Sequence, residues 1–228
     1  MRFTRLNPFQ PAHWKLSAAA LFAFLVLGCG ALTAFVLAPR QALLAWRMSR
    51  IPPMDAAAVE TLAPGEDVLL TGVLEGNPSL AHHFVAYTLE RWEAKDANRP
   101  SDGRWVDAER VFPDLQLVVQ GQPVLVQSSA EVRLLGAVHV GVYQGNTGFQ
   151  DALHRTRYHG LRNGDQVTVL GRKAASGGVV PSYLFAGNRA AFEAFARSSA
   201  RDLFLAGLLV MAFSPLVFGF ASAVTRWA

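Results

Sequence analysis

Trp105, Arg155, Arg157, Tyr158 and His159 are the residues whose types and spacing point most directly to a task. Trp, Tyr and Arg carry most of the energy of protein interfaces, because each presents a large or forked contact area. Their chemistry would be noncovalent docking, and they form the candidate binding surface. Together with Phe84, Tyr87 and Trp92, the same residues would also suit a hydrophobic core with a solvated rim. No catalytic residue is assigned. The chain has no Gly-x-Ser-x-Gly elbow, His-Glu-x-x-His, Walker loop or dinucleotide fingerprint. His82 and His83 are neighbours, and His154 and His159 are five apart. Neither spacing puts two imidazoles on one helical face, so no metal site is expected. Lys15 flanks an apolar run, while Lys95 and Lys173 read as loop residues. A serine–lysine hydrolase would need its lysine buried. No cofactor is implied.

The elements that must position these residues begin with two uncharged apolar runs, Leu16 to Pro39 and Leu203 to Thr225. Each exceeds the roughly 20 residues that a helix needs to cross a bilayer. Two transmembrane helices are therefore expected to flank one extramembrane domain, with both tails on one side and the lipid bilayer as a partner. Neither run contains an ionisable group, which argues against a transporter. Gly28, Gly30 and Ala34 offer small surfaces through which the spans could contact other helices.

The net charge of +4 and pI of about 9.6 prove uninformative once they are located along the chain. Of 21 Lys and Arg, the four at Arg2, Arg5, Lys15 and Arg226 lie outside the spans, leaving 17 basic against 17 acidic residues between them. A neutral domain lacks the basic stripe that nucleic acid requires, so no nucleic-acid partner is expected. Basic tails favour a cytoplasmic location for the tails and the opposite side for the domain. The lone cysteine, Cys29, allows no disulfide and no cysteine-based zinc module. Val26-Leu27-Gly28-Cys29 has the look of a lipoprotein cleavage site, but Ala31 to Ala38 stay apolar, so a retained anchor is expected.

After Pro39, the apolar residues Leu43, Leu44, Trp46 and Met48 recur at helical spacing, while Arg40, Arg47 and Arg50 gather elsewhere. This suits either a helix lying in the membrane interface or the exposed end of the first span. Ile51-Pro52-Pro53 should stop it. Short β-branched runs then predict strands over 68–74, 84–92, 115–119, 124–127, 132–135, 138–143, 167–170 and 179–185. Turns are expected at Gly76-Asn77-Pro78, Ser101-Asp102-Gly103, Gly145-Asn146 and Ser176-Gly177-Gly178. Gly65-Glu66-Asp67-Val68-Leu69-Leu70-Thr71-Gly72 resembles Gly164-Asp165-Gln166-Val167-Thr168-Val169-Leu170-Gly171, a hint of a duplicated, OB-like barrel whose closing glycines permit a sharp bend. From Asn188, a capped helix with Phe192 and Phe195 on one face should run directly into the second span. It carries Arg197 and Arg201 to the membrane interface, beside Arg40, Trp46, Arg47 and Arg50. The expected order is a basic tail (1–15), a span (16–39), an interfacial helix and linker (40–62), a mainly β domain (63–187), a helix (188–202), a second span (203–225) and a tail (226–228).

This layout resembles the GIDE domain, also called the beside-a-membrane (BAM) domain, which a mitochondrial E3 ubiquitin ligase carries between two transmembrane helices. The resemblance rests on Val68-Leu69-Leu70-Thr71-Gly72-Val73, on Phe84-Val85-Ala86-Tyr87-Thr88-Leu89-Glu90 followed by Trp105, and on Leu117-Val118-Val119-Gln120-Gly121. It continues through Gly164 to Gly171, the aromatic pair Tyr183 and Phe185, and the Arg-rich helix before the second span. It implies a β-rich module that binds protein partners beside a bilayer. Val119-Gln120 stands where family members often have an acidic residue, and no RING follows Thr225, so ligase activity is not expected to carry over. The alternative is a membrane-tethered enzyme, a hydrolase or part of a ubiquitin-ligase-like system. A third reading is a subunit of a membrane protein complex.

Overall fold

The computed structural model describes residues 11–96, 102–143 and 155–227, with side chains described from residue 21. Arg2, Arg5, His154 and the Gly145-Asn146 turn lie outside the described residues. The chain divides into two compact units, 1–46 with 196–228, and 47–195.

The first unit is a pair of apolar helical arms. One arm comprises α1 (Pro11–Leu32), a π-helical turn (Thr33–Leu37) and the start of α2 (Ala38–Arg50). The helix does not stop at Pro39. Proline has no N–H to give to Phe35, and its ring would strike that residue's carbonyl, so the helix widens ahead of it. Ala38 N–H accordingly bonds to the carbonyl of Thr33, and the Thr33 hydroxyl donates to the Cys29 carbonyl at 2.9 Å. The other arm belongs to α4 (Arg189–Trp227), which continues through Pro215. The arms meet through small residues. A Cβ on Gly207 would sit 2.6 Å from Ala34 N and 2.7 Å from Gly30 O, so only glycine allows this approach. Ser214 Oγ donates to Ala23 O at 2.6 Å. Gly30 and Ala34 are thus spent on the chain's own second arm, whereas a side chain at Gly28 would meet nothing within 4 Å. Both arms are long and apolar enough to span a membrane.

The second unit is mainly β and centres on a closed five-stranded barrel. Its strands are β1 (Asp67–Leu74), β4 (Leu115–Val119), β5 (Gln122–Val126), β9 (Gln166–Lys173) and β10 (Val179–Ala186). Hydrogen bonding runs β5-β4-β1-β9-β10, and β10 then pairs with β5 in parallel to close the ring. Val68, Leu70, Leu74, Leu117, Val167, Val169 and Leu184 fill it, all nearly inaccessible.

The two similar stretches supply β1 and β9, which pair with each other about a local two-fold centred on Leu70 and Val169. Their bonding is reciprocal. Gly65 N–H donates to Lys173 O at 2.8 Å and Gly164 N–H to Leu74 O at 2.7 Å. Ala63 N–H donates to Glu66 Oε2 at 3.1 Å and Arg162 N–H to Asp165 Oδ2 at 2.7 Å. Each closing glycine lies under a neighbouring strand: a Cβ on Gly72 would be 2.4 Å from Val118 O, and one on Gly171 would be 2.2 Å from Val180 O.

A second, four-stranded sheet is built from two insertions into this barrel. Between β1 and β4 come β2 (Ala86–Ala94) and β3 (Gly103–Val111). Between β5 and β9 come β6 (Arg133–Gly136), which pairs with β10, then β7 (His139–Tyr143) and β8 (Thr156–Leu161). The insertions meet where β2 pairs with β8, giving the order β3-β2-β8-β7. Buried Asn77 ties the first insertion down. Its Nδ2 donates to Gln116 O at 3.0 Å, its Oδ1 accepts Gln116 N–H at 2.6 Å, and Asn163 Nδ2 donates to its carbonyl at 2.8 Å.

Two helical pieces complete the unit. Asp55 caps the short α3 (Ala56–Thr61) by accepting Ala58 N–H at 2.7 Å; this helix lies within what the sequence suggested was linker. Asn188 caps α4 through Ala191 N–H at 2.8 Å, as its position suggested. Phe192 is buried against Phe185, their rings stacked at 4.7 Å. Arg189 donates to Met48 O and Ile51 O at 2.9 and 2.8 Å, satisfying carbonyls at the end of α2, and Glu193 holds it at 2.9 Å.

Candidate functional site

The four-stranded sheet brings most of the candidate residues together, and its pairing register explains how. Glu90 on β2 faces Arg157 on β8, Thr88 faces His159, and Trp92 faces Trp105 on β3. Side chains alternate across a strand, so Arg157 and His159 share one face and Tyr158 takes the other. On the first face, Glu90 Oε2 accepts from Arg157 Nε at 2.6 Å and lies 3.1 Å from His159 Nε2. The Arg157 guanidinium stacks over Trp105, 4.6 Å from the ring centre, and Trp105 meets Trp92 edge-on at 5.3 Å. Trp105, Arg157 and His159 are all half-buried. A carboxylate, a cation, an imidazole and an indole are thereby locked into one polar and aromatic patch with preset rotamers.

Tyr158 belongs to a different cluster on the opposite face. Its ring lies 5.3 Å from Tyr87, 6.3 Å from Phe84 and 4.7 Å from His82. Burial pushes the Tyr87 hydroxyl above its ordinary pKa, with the nearby Glu109 charge adding to the shift. Of the five candidate residues, Trp105, Arg157 and His159 share one patch and Tyr158 lies on the face behind it. Arg155 gives its carbonyl to Trp92 N–H at 2.8 Å, and its buried Nε has no hydrogen-bond partner.

The two edges of this sheet differ. β3 carries Arg104, Asp107, Glu109 and Arg110, and its pairing with β2 is broken by an irregularity at Leu89/Glu90. β7 reads His-Val-Gly-Val-Tyr, with no Lys, Arg, Asp, Glu or Pro, and exposes Val140 at 57% and Val142 at 54%. Charges, prolines and bulges are the means by which sheet edges avoid pairing with other chains, and β7 has none of them. His139 Nε2 is 2.9 Å from Asp165 Oδ1, which fastens the start of β7 to the turn before β9.

The arginines expected at a membrane interface behave unequally. Arg40, Arg50, Arg197 and Arg201 are exposed, as is Trp46 at 56%. Arg47 is instead paired through two nitrogens with Asp67 at the start of β1. That hydrogen-bonded guanidinium holds the Asp67 carboxyl below the usual carboxylate range, with Arg172 reinforcing it. Lys173, expected in a loop, is the last residue of β9. It lines a groove of about 840 Å³ with Arg47, Arg172, Gln127 and Glu131, a feature that no sequence motif marked. Among the described residues, no three His, Cys, Asp or Glu gather as a metal site.

Compared with known proteins, the chain matches no family model, no curated protein and no solved structure.

Proposed function

We propose that this protein is a membrane-anchored docking module: two spans forming a hairpin that holds an OB-type, GIDE-like barrel beside the bilayer, with the inserted sheet as its recognition surface. The bare apolar arms carry the anchoring. Little of either arm is buried, and Leu21, Phe22, Phe24, Leu209, Phe213 and Leu216 stand exposed. A soluble protein does not leave so much apolar helix in water, whereas lipid covers it at no cost. The Gly30–Ala34–Gly207 contact is the small-residue packing that helices use in lipid, where close backbone approach replaces the hydrophobic effect. The barrel order, strands one-two-three-five-four with the third and fifth parallel, supports the OB assignment.

The single observation that supports docking is the patch of Trp105, Arg157, Glu90 and His159 on a sheet that takes no part in closing the barrel. Its partner is a protein, met as a component of a membrane complex, and its task is recognition without chemistry of its own. The basic tails favour termini in the cytoplasm and a domain on the opposite side of the membrane. Crosslinking of the full chain in native membranes tests the docking reading. Trp105→Ala should lose a partner that wild type captures while the domain stays folded. An unchanged crosslink pattern, or no protein partner for wild type, overturns it. Digestion of the domain by protease added only from the cytoplasmic side of sealed vesicles would reverse the orientation.

A further inference from the structure

The groove beside β9 concentrates positive charge in a domain that is otherwise balanced. Arg47, Arg172 and Lys173 line it against a single lining carboxylate, Glu131. Asp67 is not in the wall. It takes two nitrogens of Arg47 and lies 3.9 Å from Arg172 Nε, tying the two guanidinium groups together. This is a supporting role: a carboxylate that fixes a guanidinium fork leaves the remaining donor edge oriented and cuts the rotamer entropy lost on binding. Arg172 is extended, with its side chain 66% exposed, and Lys173 makes no ion pair among those described. The rest of the wall is hydroxyl, amide and small apolar: Ser176, Ser182, Gln127 and Val180. The volume of about 840 Å³ is far larger than one ion requires.

We propose that this groove is a binding site for a phosphate-bearing anion, with Arg172 and Lys173 as its principal ligands and Arg47 as a third donor held in place by Asp67. Fork-shaped guanidinium groups match phosphate oxygens in pairs, the lysine adds a point charge, and the serines and Gln127 supply neutral hydrogen bonds to hydroxyls on the same ligand. A lipid headgroup and a free phosphate share this chemistry. The lipid is the source favoured here, because Arg47 lies on the helix that continues from the first apolar arm. The site itself stands on the groove and does not depend on the docking reading.

The test uses the full chain in neutral detergent, with binding read by native mass spectrometry and tryptophan fluorescence. Three probes are offered: inorganic phosphate, short-chain phosphatidylglycerol and short-chain phosphatidylcholine. Phosphatidylglycerol should be preferred over phosphatidylcholine, and its binding should weaken as salt is raised. The double variant R172A/K173A should weaken binding by about tenfold or more, as expected for lost charge-assisted bonds. Glu131→Gln should tighten it, a change in the opposite direction that misfolding cannot produce. Binding of inorganic phosphate with no lipid preference, sensitive to both variants, supports the site and assigns it a soluble anion. Failure of phosphate and phosphatidylglycerol alike, or binding that neither variant alters, overturns the proposal. Neither outcome bears on the crosslinks at Trp105, so the two readings fail separately.

Discussion

The barrel and the inserted sheet are both antiparallel at heart, yet they use their residues in opposite ways. In the barrel, Val68, Leu70, Val167 and Val169 are fully buried, and two glycines are placed where no side chain fits. In the sheet, β3 is exposed along most of its length, and the best-packed polar group, Glu90, serves to fix Arg157 and His159. Burial holds the barrel together, since apolar area removed from water outweighs any surface pair. The sheet is joined to it at the base, where Ala86 of β2 and Leu161 of β8 share the barrel's hydrophobic core, and by Asn77 and the contact between His139 and Asp165. Beyond that base, the outer ends of the strands carry polar and aromatic side chains that the core does not need.

The contrast is broken or sharpened by four substitutions, graded by expected effect on the full chain. Gly171→Val strikes the barrel. Its Cβ would lie 2.2 Å from Val180 O, a backbone atom that cannot swing aside, so thermal unfolding should show a loss of about 3 kcal/mol or more. A mild effect there would remove the distinction between the regions. Asn77→Ala strikes the joint. It strips the side-chain hydrogen bonds to Gln116 and to Asn163 Oδ1, and denaturant titration should show a loss of about 2 kcal/mol. Proteolysis should then cut within β2 and β3 before the barrel strands. Arg157→Ala strikes the platform. It should cost only about 1 kcal/mol of stability, because the pair with Glu90 remains partly wet.

Asp67→Asn is the smallest change, and its effect depends on pH. The folded carboxyl is held below its ordinary value of 3.8, so its stabilisation is present above that value and disappears as pH falls through the lower folded one. Both partners are 37% exposed, so solvent screening limits the difference at neutral pH to about 0.5 kcal/mol. Wild type and variant should converge as unfolding is followed below about pH 4, and a constant gap there would rule out the linkage.

The apolar arms, the barrel strands and the Asn188 cap were legible because each carries a periodic or capping signal tied to burial. β3 and β8 were not. Residues 103–111 read Gly-Arg-Trp-Val-Asp-Ala-Glu-Arg-Val, and with both faces largely wet no alternation marks them as a strand. The candidate surface was named by residue type, and strand pairing brings three of its residues, Trp105, Arg157 and His159, together. Residue type could not separate Tyr158, because the faces of β8 are assigned only once its pairing with β2 is known. Helical spacing could not reveal the partner of Arg47 for the same reason: Asp67, twenty positions on, takes its side chain only once the strand is in place. The groove was invisible because its cations come from one helix and one strand end that meet only in three dimensions.

The reciprocal pairing of β1 with β9 carries a historical consequence. Two stretches that donate and accept the same bonds in exchange have the local symmetry that a pair of identical short chains would show. In such an ancestor, Leu70 and Val169, which lie directly opposite each other, would have been the same residue facing itself across the axis. Everything that breaks the symmetry today, the inserted sheet above all, would then be later ornament, acquired at loops the original pair left open.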